Sequence, residues 1–207
     1  MNFYKPKKLP KLMIAPNGAR PSKKDHPAVP ITISETVETA KACFDAGADG
    51  IHFHMRDENG EHILDSGLCK EALNELQKEV PSMHLQVTTE AVGRYSPDVM
   101  RKLAFDVIPP GISIGIREMI PSRSPKSEDI NLYRHLTEAG TRIQHICYEP
   151  KDIDLLSNLL SLTNISKEGT WCMLVIGHYS GIKSDPEKIS SFLKKFQEHK
   201  INADWAV

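Results

Sequence analysis

Charge of one sign is missing from this sequence. Its 26 Lys and Arg stand against 27 Asp and Glu, for a formal charge of −1 over 207 residues, with no long block of either sign. Nucleic acid and anionic membrane surfaces are thereby set aside as partners, because both call for a basic face. Long apolar runs are missing as well. Nothing approaches the roughly 20 residues of a membrane span, and the basic opening MNFYKPKKLPKL carries no apolar stretch of signal-peptide length. Cysteine is sparse and scattered at Cys43, Cys69, Cys147 and Cys172, without a CxxC pair. That is the usage of small buried hydrophobes in a reducing compartment, and the expectation is a soluble, cytoplasmic protein. The dinucleotide fingerprint and the phosphate-binding P-loop are both absent too.

What is present is a steady alternation of elements. Lys11–Pro16 is a short apolar run stopped by Pro16-Asn17-Gly18, a buried strand ending in a turn. After an irregular Pro-rich stretch, Ser34 opens a helix with N-cap chemistry, and Val37, Ala40, Lys41 and Phe44 keep helical spacing until Gly47. The pattern then predicts strands at 49–54, 83–89, 112–116, 142–148, 171–176 and 203–207. Between them it predicts helices at 66–79, 97–105, 127–139, 151–162 and 185–199. Seven strands alternating strictly with six helices imply a parallel α/β sheet. Polar residues recur at the ends of several strands: Asn17, His52 and His54, Thr88 and Glu90, Ser113, and Glu149. Functional groups collected at strand C-termini belong to a TIM-type (β/α) barrel. The expectation is therefore one barrel domain over residues 1–207. Since a (β/α)8 barrel needs eight strands, an eighth βα unit is missing from the sequence. The slot left between first and seventh strands would expose apolar interior and unpaired edges, which favours a longer functional chain or association into a homo-oligomer.

Ile51-His52-Phe53-His54-Met55-Arg56-Asp57 carries the most chemistry. Residues two apart on a strand share a face, so His52 and His54 project together while Ile51, Phe53 and Met55 face the helices. Two adjacent imidazoles suit two positions of a tetrahedral metal, which needs a third protein ligand and an open position besides. The plainer alternative is a pair of core histidines bonded to neighbours. Glu90 and Glu149 are candidate carboxylate ligands or simply loop carboxylates. His178 is a candidate contact for an anionic group or an ordinary loop histidine, and His26 is expected to be structural.

Three segments, MIAPNGARPSKKDHPAVPIT, AGADGIHFHMRDENG and LQVTTEAVG, in this order and at these intervals, resemble the β-keto acid cleavage enzymes. The resemblance implies a (β/α)8 barrel with a zinc ion, or another divalent transition metal, on His52 and His54. It implies a reaction of a β-keto acid with acetyl-CoA as co-substrate, giving acetoacetate and a new acyl-CoA. Thr88 and Ser113 stand where the family has hydroxyls close to substrate, and Arg20 stands near a polar or charged substrate contact. Asn17 joins them as a candidate substrate contact. Arg56 is a candidate catalytic group, holding a substrate carboxylate or else pairing with Asp57 to brace its loop. The family's third ligand, a Glu on the eighth strand, has no counterpart in this sequence. Two other readings keep the same histidines: a metal-dependent aldolase or lyase acting on an oxo acid without CoA, and a catalytically silent metal-binding barrel.

Overall fold

The computed structural model describes residues 8–177, 181 and 183–207; His178 lies outside them. Two compact units divide the chain, one ending at Ile112 and the other running from Ser113 to Val207.

The first unit holds β1 (Met13–Ile14), α1 (Ile33–Asp45), β2 (Gly50–Phe53), α2 (Ser66–Glu79), β3 (His84–Thr88) and α3 (Pro97–Val107), and enters β4 (Gly111–Gly115). β1, β2 and β3 pair in parallel, with Met13 opposite Gly50 and His52 opposite Gln86. The strand β1 is shorter than its apolar run predicts. Its start is tied instead by the Asp49 carboxylate, which accepts from the backbone N–H of Lys11 at 3.0 Å and of Leu12 at 2.7 Å. The helix α1 starts two residues before the sequence places it, and Thr32 is the N-cap in place of Ser34. Thr32 Oγ1 accepts from Glu35 N, and Glu35 returns a carboxylate oxygen to Thr32 N, a reciprocal box that Ser34 has no partner to form. Ile51, Phe53, Leu76, Leu85, Val87, Met100 and Leu103 are buried as the core of this unit.

The second unit contains α4 (Ile116–Met119), α5 (Ser127–Glu138), β5 (Arg142–Cys147), α6 (Lys151–Thr163), β6 (Glu168–Leu174), α7 (Lys188–His199) and β7 (Asn202–Ala206). β5, β6 and β7 are again parallel neighbours, with Gln144 opposite Trp171 and Trp171 opposite Asp204. The four-residue α4 is absent from the sequence reading. Its Ile116 and Met119 are both fully buried, and Ile116 is the last residue of the strand expected at 112–116. Leu132, Tyr133, Leu136, Leu156, Leu159 and Phe192 fill the core here. On β7, Trp205 is exposed. Among the described residues no helix is long and apolar enough to cross a membrane.

Candidate metal centre

The backbone ladder of β2 ends at Phe53, one residue short of the second histidine. The Asn17 side chain extends it. Its Nδ2 donates to His54 O at 2.8 Å and to Pro30 O at 3.2 Å, while His54 N donates to Asn17 Oδ1 at 3.1 Å. A carboxamide offers the donor and acceptor of a peptide group, so it continues the pairing after β1 has stopped. His54 thereby keeps the strand alternation and lands beside His52. Their Nε2 atoms face each other at 3.0 Å, with the rings edge-to-face and centroids 4.9 Å apart. Behind His52, Nδ1 donates to Gln86 Oε1 at 2.7 Å, from the register partner on β3. With the proton on Nδ1, the Nε2 lone pair points at His54.

Burial sets the charge of the pair. It lowers the pKa of His52, and it carries His54 down to about 2 with help from the neighbouring His52, His62, Arg56 and Arg20. Both rings are neutral at pH 7, the form that ligates a cation. Two zinc–nitrogen bonds of about 2.0–2.1 Å at a tetrahedral angle separate the nitrogens by about 3.3 Å. The observed spacing is within a few tenths of an ångström of that, so the two residues fit a divalent ion. Without an ion, the same spacing suits an N–H···N bond from His54 to His52. Among the described residues no group of three His, Cys, Asp or Glu is placed to hold a metal.

Arg56 is buried, and its Nη1 and Nη2 donate to four backbone carbonyls: Gly60 at 2.6 Å, Asn17 at 3.0 Å, Gly18 at 2.6 Å and Pro21 at 2.8 Å. It braces the loop after β2 against the loop after β1, and it does so without Asp57. The Asp57 carboxylate instead caps its own turn, accepting from Asn59 N and Glu61 N, both at 2.9 Å. The substrate contact expected of Asn17 meets an amide already engaged by His54 and Pro30. Arg20 is half exposed and donates to Glu90 Oε1 at 3.0 Å. Thr88 is buried at the end of β3, where its hydroxyl accepts from Glu90 N at 3.0 Å. Ser113 belongs to the second unit and is buried on β4. Asn17, Arg20, His52, His54, Arg56 and Thr88 thus share one unit. His26, as expected, serves its loop, with Nδ1 accepting from Ala28 N at 3.2 Å.

His62 escaped the sequence reading. The segment Asp57-Glu58-Asn59-Gly60 turns the chain back so that Arg56 and His62 form an antiparallel bridge, with Gly60 at φ +78°. The buried His62 ring stands edge-to-face against His54 at 5.0 Å, and its Nε2 donates to Glu90 O at 3.0 Å. The Asn-Gly of that turn is the signal that predicts a hairpin there. An open cleft of about 790 Å³ in the same unit is lined by Arg20, Lys23, Lys24, Arg56, His62 and Arg94 among others. In the second unit Glu149 is paired with Arg117 at 2.8 Å and also with Arg123. Both arginines also reach the wholly buried Asp152. That cluster opens on a cavity of about 560 Å³.

Parallel strands alternating with helices define an α/β protein of the barrel class. The chain belongs to the β-keto acid cleavage enzyme family, whose profile matches residues 11–207. It is 37% identical to a 3-oxoadipate:acetyl-CoA acetyltransferase of Cupriavidus necator over 78 residues, 38% of this chain and 28% of that protein. A 3-keto-5-aminohexanoate cleavage enzyme of Fusobacterium nucleatum is 31% identical over 72 residues, 35% of this chain and 26% of its own length. The matched part thus spans little more than a quarter of either relative. Among solved structures, ObcA in a binary complex with oxaloacetate superposes with a TM-score of 0.65 at 12% identity, over 86% of this chain and 51% of that one. Type I 3-dehydroquinate dehydratase of Clostridium difficile gives 0.61 at 12%, over 95% and 73%. These likenesses show the fold, a TIM-type (β/α) barrel of which seven strands lie among the described residues.

Proposed function

We propose that this protein is a zinc-dependent β-keto acid cleavage enzyme. A β-keto acid R–CO–CH2–COO⁻ and acetyl-CoA would become acetoacetate and R–CO–CoA, the acetyl group and the acyl group R–CO exchanging partners. The observation that carries the reading is the convergence of the His52 and His54 Nε2 atoms at 3.0 Å, with the opposite nitrogen of His52 already bonded to Gln86. It is supported by family membership and by the acetyl-CoA-dependent relative.

Within the reading, His52 and His54 hold the metal. When bound, a zinc ion supplies a Lewis acid for the keto oxygen, where negative charge develops in both bond-making and bond-breaking steps. Thr88, at the end of β3, is a hydroxyl suited to the substrate carboxylate, and Arg20 brings positive charge to the cleft, suited to an anionic part of a substrate. Asn17 and Arg56 act on position: one holds the His54 backbone, the other joins the two loops around it. Four free cysteines support a cytoplasmic setting, and the exposed Trp205 on β7 supports association into a homo-oligomer.

The experiment is an assay of acetoacetate formation from short β-keto acids with acetyl-CoA, run beside metal analysis. The expected result is zinc in the purified protein, turnover that needs acetyl-CoA, and loss of both in the double variant His52→Ala, His54→Ala. Turnover of an oxo acid without CoA would assign the aldolase reading, and metal without any turnover the silent barrel.

A further inference from the structure

We infer that Glu90 is the carboxylate that orients His54 for metal binding, without being a ligand itself. The inference rests on the metal reading above and starts from the two sides of the His54 ring. Nε2 faces His52, the locus where a cation would sit. Nδ1 is on the far side, buried and without a hydrogen-bond partner, and Glu90 Oε2 lies 3.7 Å from it. A carboxylate at Nδ1 stands behind the ligand and does not share the cation with Nε2 of the same ring.

A cation on Nε2 fixes the tautomer. The proton must then be on Nδ1, in a site where an unmet donor is costly, and the Glu90 carboxylate is the acceptor within reach. Closing 3.7 Å to a charge-assisted bond of about 2.8 Å takes a shift of under about 1 Å. Glu90 is held for that position at three points. Its N–H donates to Thr88 Oγ1, its carbonyl accepts from His62 Nε2, and its Oε1 accepts from Arg20 Nη1, each at 3.0 Å. Only Oε2 is left to face His54. The same logic is already complete at His52, where Gln86 Oε1 accepts from Nδ1 at 2.7 Å. The pair thus has a neutral acceptor behind one ring and a charged one behind the other. His62 and Thr88 acquire a purpose as the groups that pin the backbone of Glu90.

The test is the affinity of the 207-residue chain for Zn2+ and Co2+, measured by chelator competition for the natural protein, Glu90→Gln and Glu90→Ala. Removing such an acceptor weakens metal binding about 10- to 100-fold. We expect Glu90→Ala near the upper end and Glu90→Gln near the lower, because an amide oxygen still accepts. Nitrogen-15 NMR of the zinc-loaded natural protein should show His54 as the Nδ1–H tautomer with a downfield Nδ1 proton, absent in Glu90→Ala. Should Glu90→Ala fail to fold, Glu90→Gln decides on the same two readouts. Equal affinity in natural protein and variants, with an unmoved His54 proton, overturns the inference and leaves the metal reading standing. A natural protein that binds neither ion overturns both.

Discussion

His52 and His54 were visible in sequence because their relation is local: a spacing of two on a strand fixes their common face. What makes them a site is not local. Gln86, Glu90 and Asn17 lie 34, 36 and 37 residues from the histidines they serve, and only the folded chain brings them together. Asn17, a candidate substrate contact at a strand end in sequence, bonds the backbone of His54 on both sides in the fold. The fold uses it as a piece of backbone. This has a measurable consequence. Replacing Asn17 by Leu keeps its bulk and leaves His54 N–H without its acceptor. The cost of such unmet buried groups, about 1–3 kcal/mol each, predicts a loss of about 2–3 kcal/mol in urea unfolding. Metal affinity should fall with it, since His54 loses its register. An Asn17→Leu protein of natural stability would show that the amide is not the strut described.

At the scale of elements, apolar period and caps locate most of the chain. α2 spans Ser66–Glu79 as its leucine spacing predicts, opened by Asp65, whose carboxylate accepts from Leu68 N at 2.8 Å. Errors fall where a second rule competes. The reciprocal Thr32–Glu35 box takes the start of α1 from Ser34, and α4 takes Ile116 from the end of the strand expected at 112–116. The start of β4 shows how closely the strands are fitted. A Cβ added at Gly111 would lie 2.6 Å from His84 Nε2 and 2.9 Å from the carbonyl oxygen of Leu85. The imidazole is able to turn; the backbone oxygen on the neighbouring strand is not. Gly111→Ala should therefore destabilise by about 1–3 kcal/mol, the usual cost of overpacking, read as a lower melting temperature. A neutral result would mean that β4 shifts freely against β3.

At the scale of the whole molecule, burial of histidines adds to the response to acid. In the second unit His145 is enclosed and stacked on Tyr133, with centroids 5.7 Å apart and planes 8° from parallel. Burial first, then the charge of Arg142, carries it down to about 3 from 6.5. Facing it are Tyr133 from α5 and, along its own strand, Arg142 and Cys147, whose thiol donates to the His145 carbonyl at 3.8 Å. Burial raises the Tyr133 pKa, and the hydrogen bond with Cys172, then burial, raises that of Cys147, so neither supplies a negative charge to hold a proton on the ring. The folded pKa is below the unfolded one, so between pH 6.5 and 3 the unfolded chain binds the extra proton. Stability is then full above pH 6.5 and is lost as pH falls through that window, by about 1.4 kcal/mol per pH unit for this one group. Both tryptophans, Trp171 and Trp205, lie in the second unit, so tryptophan fluorescence follows the unfolding of that unit alone. Urea unfolding read this way at pH 7.5, 5.5 and 4.5 should show the decline, and His145→Phe, which keeps a ring against Tyr133, should flatten it by about one proton. An equal slope in the two proteins would mean that His145 is protonated in the folded state and that the acid sensitivity of this unit comes from its carboxylates.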